Sequence, residues 1–117
     1  MLVMIALLVA SVHAPDASGV WSLRLLTNAG ESAARATVTL KQEGETLAGT
    51  CAIDQVEQEL TVTGQVKDNT LTWRCVGRES FEASFKGSID STGRQMTGEW
   101  VTQSTARGTF KGSRPPK

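Results

Sequence analysis

Several residue types that carry enzymatic chemistry are scarce in this chain. Its 117 residues include one histidine, two cysteines, three prolines and no tyrosine. Lysine and arginine together number 12, and so do aspartate and glutamate, so the formal net charge is zero. Proteins that bind nucleic acid usually carry a basic excess over the phosphates they contact. We therefore expect no nucleic-acid partner, and the length fits a single domain.

The N-terminal stretch reads as a targeting segment. Residues 1–14, MLVMIALLVASVHA, are almost entirely apolar, and no charged residue occurs before Asp16. The run is too short to span a bilayer comfortably, and it ends with small residues at the two positions that a signal peptidase reads. The sequence therefore predicts a signal peptide over 1–14 and one domain over 15–117. The mature protein would be secreted or periplasmic, with no membrane attachment after cleavage.

Removal of this segment leaves few means of catalysis. His13, the single histidine, leaves with it, so no Ser-His-Asp triad, Cys-His pair or imidazole metal ligand can form. The two cysteines stand 24 positions apart, which is not the spacing of a zinc site, and no phosphate-binding glycine loop occurs. We expect no enzyme activity, no metal and no cofactor.

The rest of the chain alternates apolar and polar residues with a period of two. Eight such stretches occur, beginning with Trp21, Leu23 and Leu25 and ending with Gly108, Phe110 and Gly112. This alternation is typical of antiparallel strands with one buried and one wet face. No connection is long enough for a crossover helix. The sequence predicts an all-β, eight-stranded antiparallel up-and-down barrel, because closure removes both sheet edges.

A unit of one hydrophobic residue, any residue and glycine recurs, as in Phe85-Lys86-Gly87 and Met96-Thr97-Gly98. Each glycine falls on the inward face. It either permits the bends of a small barrel or lines a ligand cavity, and the sequence leaves both interpretations open.

The two ends of the predicted barrel differ. Tight turns near residues 44, 68 and 92 share one end, and the longer loops share the other, which would form an open mouth. Inward residues near that mouth are candidate ligand contacts, although they serve equally well as ordinary core. These candidates are Leu25, Ala36, Cys51, Ile53, Leu60, Cys75, Phe81 and Trp100.

The chain termini carry a family resemblance. Gly19-Val20-Trp21 opens the first strand and Arg114 follows the last. This pattern resembles that of the calycins, the lipocalin- and avidin-type barrels, where an arginine packs across a tryptophan at the closed end. The resemblance implies that Trp21 and Arg114 are a structural pair. The stretch Gly108–Arg114 also looks like the end of short secreted bacterial barrel domains, some of which accompany hydrolases.

The two cysteines leave a question open. Export favours pairing of Cys51 with Cys75. Counting from the turns places Val62 opposite both, so their strands would be next-but-one neighbours, roughly 9–10 Å apart. Bonded cysteines need Cα atoms about 4.4–6.8 Å apart. The expected export of the protein therefore favours a disulfide between Cys51 and Cys75, whereas the expected distance between their strands opposes it.

The function predicted from these features is that of an exported, non-catalytic binding barrel with a small apolar ligand at the open end. The alternative is a protein-interaction domain whose partner is another secreted protein. It would be either a hydrolase accessory or a periplasmic protease-inhibitor-like barrel that acts through the segment Pro15–Gly19.

Overall fold

A computed structural model describes residues 16–78 and 81–114. The predicted signal peptide, residues 1–14, lies outside the described residues. Period-two alternation produces eight strands in chain order. They are β1 (Gly19–Thr27), β2 (Ser32–Glu43), β3 (Thr46–Ile53), β4 (Leu60–Lys67), β5 (Thr70–Val76), β6 (Glu82–Ile89), β7 (Gln95–Thr102) and β8 (Arg107–Ser113).

The strands form a closed antiparallel barrel. Each strand pairs with its neighbour in sequence, and β1 also pairs with β8 from Ser22↔Ser113 to Thr27↔Gly108. Because the ladder closes, each of the eight strands has a partner on both sides, and the barrel of residues 19–113 has no open sheet edge. The predicted eight-stranded up-and-down barrel is confirmed. Within the described ranges, no helix is long and apolar enough to cross a membrane.

The two ends of the barrel differ as expected. Turns after β2, β4 and β6 lie at the end where β1 begins and β8 finishes, which is the closed end. These turns use left-handed residues, namely Gly44 at φ 64°, Asp68 at φ 58° and Gly93 at φ 76°. Glycine and aspartate tolerate this conformation, so the tight turns form at low cost. The connections after β1, β3, β5 and β7 lie at the opposite, open end.

Large apolar side chains fill the barrel interior. Trp73 and Phe85 stack with ring centroids 5.1 Å apart, and Phe110 meets each of them edge-on at 5.7 Å. All three are at most 2% exposed, and no polar or charged residue of the described part is buried. Stacked and edge-on aromatic pairs add to the stabilisation from their buried area. The middle of the barrel is therefore a packed core.

Inward glycines make room for this core. Gly87 and Gly98 face each other on β6 and β7, and Gly98 pairs with Phe110 on β8. A Cβ atom on Gly87 would lie 2.8 Å from Phe110 Cζ, which is closer than real Cβ contacts allow. At these two positions, glycine therefore accommodates the neighbouring strand and an aromatic ring, so the space beside them is filled rather than hollow.

A carboxylate organises the turn between β6 and β7. Asp90 Oδ1 accepts hydrogen bonds from Thr92 Oγ1 at 2.7 Å, Gly93 N at 3.1 Å and Thr92 N at 3.2 Å. These bonds, with that of the Thr92 hydroxyl first, hold the pKa of Asp90 below its ordinary value. The charged form of the carboxylate is the one that this turn binds.

We expect this turn to weaken in acid. Because the folded-state pKa of Asp90 is depressed, its contribution is complete above the unfolded-state pKa of about 4 and is lost as pH falls through the folded value. The urea midpoint of the native chain should therefore fall more between pH 6 and pH 2 than that of Asp90→Asn. Parallel pH profiles of the two proteins would contradict this, since all other carboxylates are common to both.

Candidate functional site

The eight candidate ligand residues lie together at the open end, but most of them are not accessible. Five are nearly inaccessible to solvent, with at most 5% of their surface exposed: Leu25, Ala36, Cys51, Leu60 and Cys75. A side chain this deeply buried is in contact with other protein atoms over nearly its whole surface, and a water-sized molecule does not reach it. The interior below the mouth is therefore packed, and the role of these five residues in ligand binding stays a prediction.

The remaining candidates are apolar residues of the open end that stay partly accessible. Ile53, Phe81 and Trp100 are half-buried and pack on the core, and Val56 of the β3–β4 connection joins them. We call these four residues the apolar rim. Clustered apolar surface that is only half covered marks binding sites on soluble proteins. Sequence alternation alone missed Val56, because it lies in a loop where no period applies.

Phe81 also differs from its expected position. The alternation of Phe81, Ala83 and Phe85 predicts a sixth strand that includes Phe81, but β6 begins at Glu82 and Phe81 lies in the preceding connection. Its backbone N–H donates to Arg78 O at 3.2 Å, and its carbonyl accepts from Gly77 N at 3.0 Å. These backbone bonds hold Phe81 near the end of β5 at the mouth.

Trp100 is anchored by its indole nitrogen. Nε1 donates to the carbonyl oxygens of Thr109 at 3.0 Å and Leu26 at 3.1 Å. The ring fits beside Gly108, where a Cβ atom would come 3.0 Å from Nε1. Both bonds go to backbone atoms, so the ring position is fixed by β1 and β8. The indole N–H is thus engaged, and Trp100 offers a ligand mainly apolar surface.

Two open-end connections carry backbone strain. Gln55 has φ 72° and Thr105 has φ 70°. Few residues other than glycine, asparagine and aspartate adopt this region, and it is least favourable for a β-branched residue such as threonine. Strain of this kind concentrates in binding loops, where surrounding contacts hold it. Glutamine and threonine are not typical of left-handed turns, so the sequence did not predict these two backbone conformations.

A groove on the outer wall adjoins the rim. It has a volume of about 490 Å³ and runs along β6, β7 and β8, with Asn28, Trp100 and Arg107 among its lining residues. Lys86 and Glu99, which pair across β6 and β7, place charges of both signs in it. Trp100 belongs to both rim and groove, so the two form a continuous surface.

The closed end contains the Trp21–Arg114 pair. Arg114 Cζ lies 4.4 Å from the centre of the Trp21 ring. The guanidinium also donates from Nε to Gly93 O at 2.8 Å, from Nη1 to Ser18 O at 2.7 Å and from Nη2 to Asp16 O at 2.8 Å. One side chain thus joins the end of β8, the β6–β7 turn and the segment before β1.

Asp16–Ser18 form a strap across the closed end. Ala17 is fully buried; its carbonyl accepts from Trp21 Nε1 at 2.9 Å and its N–H donates to Gln42 Oε1 at 2.7 Å. Ser18 Oγ accepts from Gln42 N at 2.9 Å. The sequence offered this segment as the inhibitory element of a protease-inhibitor-like protein. Of its described residues, Ala17 is buried in the barrel, and Asp16 and Ser18 are held at the closed end by hydrogen bonds. Pro15 lies outside the described part.

The register of the cysteines differs from the sequence expectation. Cys51 pairs with Leu60, whereas Val62 pairs with Gly49 on one side and Cys75 on the other. The assignment of Val62 opposite both cysteines was therefore wrong. Strands β3 and β5 come within 8 Å of each other, Cα to Cα, although β4 lies between them. Both thiols are free and buried.

Comparisons with known proteins support the barrel fold and assign no function. No family model and no curated protein matches the chain. Among solved structures, it is similar to a redesigned β-barrel, mFAP1, bound to DFHBI, with a TM-score of 0.58 and 16% sequence identity. The match covers 84% of this chain and 94% of that one. At this identity the likeness establishes a shared barrel architecture.

Proposed function

We propose that this chain is an exported, non-catalytic barrel of calycin type that binds a small apolar molecule at its open end. The observation that carries the proposal is the apolar rim of Ile53, Val56, Phe81 and Trp100, which is half covered and surrounded by strained loops. The arrangement of Gly19, Trp21 and Arg114 at the closed end supports the calycin assignment. The redesigned barrel of similar architecture is a binder of DFHBI, which supports ligand binding by this class of scaffold.

The packing of the interior makes the proposed site shallow. Cys51, Leu60 and Cys75 are at most 1% exposed, so they form the floor of the site and not its walls. A ligand would rest on the rim, with Trp100 as the aromatic contact whose position is fixed by hydrogen bonds. The groove beyond Trp100 supplies Asn28 and Arg107 for a polar end of the molecule. We therefore infer an elongated or planar apolar ligand with one polar end.

The ligand-binding test uses intrinsic tryptophan fluorescence with two probes, DFHBI and anilinonaphthalene sulfonate, each an aromatic molecule with a polar end. Val56→Ser should weaken binding about fivefold, because it removes roughly 1 kcal/mol of apolar contact. Two matched controls are Val20→Ser at the closed end and Val76→Ser on the outer wall, both exposed. Neither should change the dissociation constant.

Two results would contradict the proposal that the apolar rim binds a small ligand. Binding that is not saturable, or that all three valine variants weaken equally, would mean that the probes attach to general apolar surface. If no probe binds and a secreted partner protein instead loses affinity with Val56→Ser, the rim is a protein-docking surface and the small-ligand proposal is wrong.

Export is tested separately. We expect the full chain, expressed in a bacterium with a periplasm, to be recovered from the periplasm or medium. Edman sequencing should then begin near Pro15, and the strap residue Asp16 should be retained. Recovery from the cytoplasm with residues 1–14 intact would overturn this part of the proposal and leave the rim proposal unaffected.

A further inference from the structure

The thiols of Cys51 and Cys75 lie beneath the proposed ligand site, which uses their bulk but not their chemistry. They come from strands that do not pair with each other, and their exposures are 1% and 0%. Both side chains are buried in the barrel interior, and their strands approach within 8 Å of each other, Cα to Cα. The neighbouring Cys51 thiol and burial together raise the pKa of the Cys75 thiol.

The approach of β3 to β5 brings the two cysteines near each other across β4. Val62 lies opposite Gly49 and Cys75, and the β4 neighbour of Cys51 is Leu60. The curvature of the barrel brings β3 and β5 within 8 Å, Cα to Cα, well inside the spacing of next-but-one strands in a flat sheet. The strands of the two cysteines are therefore closer than the flat-sheet spacing that opposed a bond between them.

We propose that Cys51 and Cys75 form an intramolecular disulfide site that ties β3 to β5 across β4, just beneath the apolar rim. The co-reactant is an oxidised disulfide, either a small molecule or a dithiol oxidoreductase. One protein thiolate attacks the external disulfide, forms a mixed disulfide and releases one thiol. The second thiolate displaces the other external sulfur, so two electrons and two protons pass to the two sulfurs of the co-reactant, which becomes two thiol groups, and the protein gains one S–S bond.

Burial determines how the site reacts. The attacking species is a thiolate, and the raised pKa of Cys75 disfavours it in the closed barrel. Oxidation should therefore be slow in the folded protein and fast during folding, when the strands are still apart. The resulting cross-link closes a long loop, which limits the unfolded ensemble and raises the melting temperature.

The test refolds the urea-denatured, fully reduced chain in a buffer of reduced and oxidised glutathione. The intact mass should fall by about 2 Da, and the oxidised protein should melt about 10 °C above the reduced one. Trp73 lies beside Cys75, so its fluorescence should be quenched on bond formation and recover with reductant. Cys51→Ser and Cys75→Ser should show neither the mass change nor the higher melting temperature.

Three results would overturn the proposal. The first is native circular dichroism with both thiols still alkylatable after unfolding. The second is a disulfide-linked dimer on a non-reducing gel, because it would show that the thiols reach another chain more easily than each other. The third is the expected mass with a lower melting temperature, since the bond would then distort the barrel instead of fitting it. None of these results depends on whether the rim binds a ligand.

Discussion

Gly98→Ala should destabilise the barrel by at least about 3 kcal/mol, although it adds only one methyl group. A Cβ atom at this position would overlap the carbonyl oxygen of Lys86 on β6 and would lie 2.5 Å from Gly87 Cα. Both neighbours are backbone atoms of a paired strand, so relief requires the β6–β7 ladder to move. The stabilisation that alanine gains by restricting the unfolded chain, about 0.4–1 kcal/mol, is too small to offset this.

Gly112→Ala provides the matched control. It is an inward glycine on the neighbouring strand β8, and its nearest obstacle is Leu23 Cδ2 at 2.5 Å. That atom is the tip of a flexible side chain and can rotate away, so the cost should be about 1 kcal/mol. Thermal melts should place Gly98→Ala about 15 °C below the native chain and Gly112→Ala about 5 °C below it. Equal losses would mean that the strand approach at Gly98 is not the cause.

Alternation was sufficient to predict the barrel. Each strand has one face of apolar residues, and eight such strands with short connections have few other ways to remove their edges. The turn residues Gly44, Asp68 and Gly93 then distinguished the closed end of the barrel from the open end. These are local signals, which the chain carries within a few residues of the feature they specify.

Features that depend on distant contacts were not predictable in the same way. The position of Val62 relative to Cys51 depends on the register of β3 against β4, and counting from the turns assigned it incorrectly. The burial of Ala17 depends on Gln42, 25 positions away, so nothing near the strap revealed that it was packed. The filling of the mouth depends on how side chains from all eight strands meet. The inward positions were predictable, whereas the free volume between them was not.

Arg114→Ala should cost about 3 kcal/mol, because this side chain holds the closed end together. Its loss removes three charge-assisted hydrogen bonds to Asp16, Ser18 and Gly93 and a cation–π contact with Trp21. The carbonyls left behind are partly accessible to water, which limits the loss to less than the sum of the separate bonds. Trp21 should become more exposed and its fluorescence emission should shift to longer wavelength.

Arg114→Lys tests whether geometry or charge carries this effect. Lysine keeps the charge, but it does not have the planar fork that reaches three carbonyls in fixed directions, so we expect it to restore less than half of the lost stability. Arg94→Ala, an exposed neighbour in the β6–β7 turn, should change stability by less than about 0.5 kcal/mol. Full rescue by lysine would show that charge alone suffices. Under conditions where Arg114→Ala stays folded, its affinity for a probe at the apolar rim should equal that of the native chain, because strap and rim lie at opposite ends of a packed barrel.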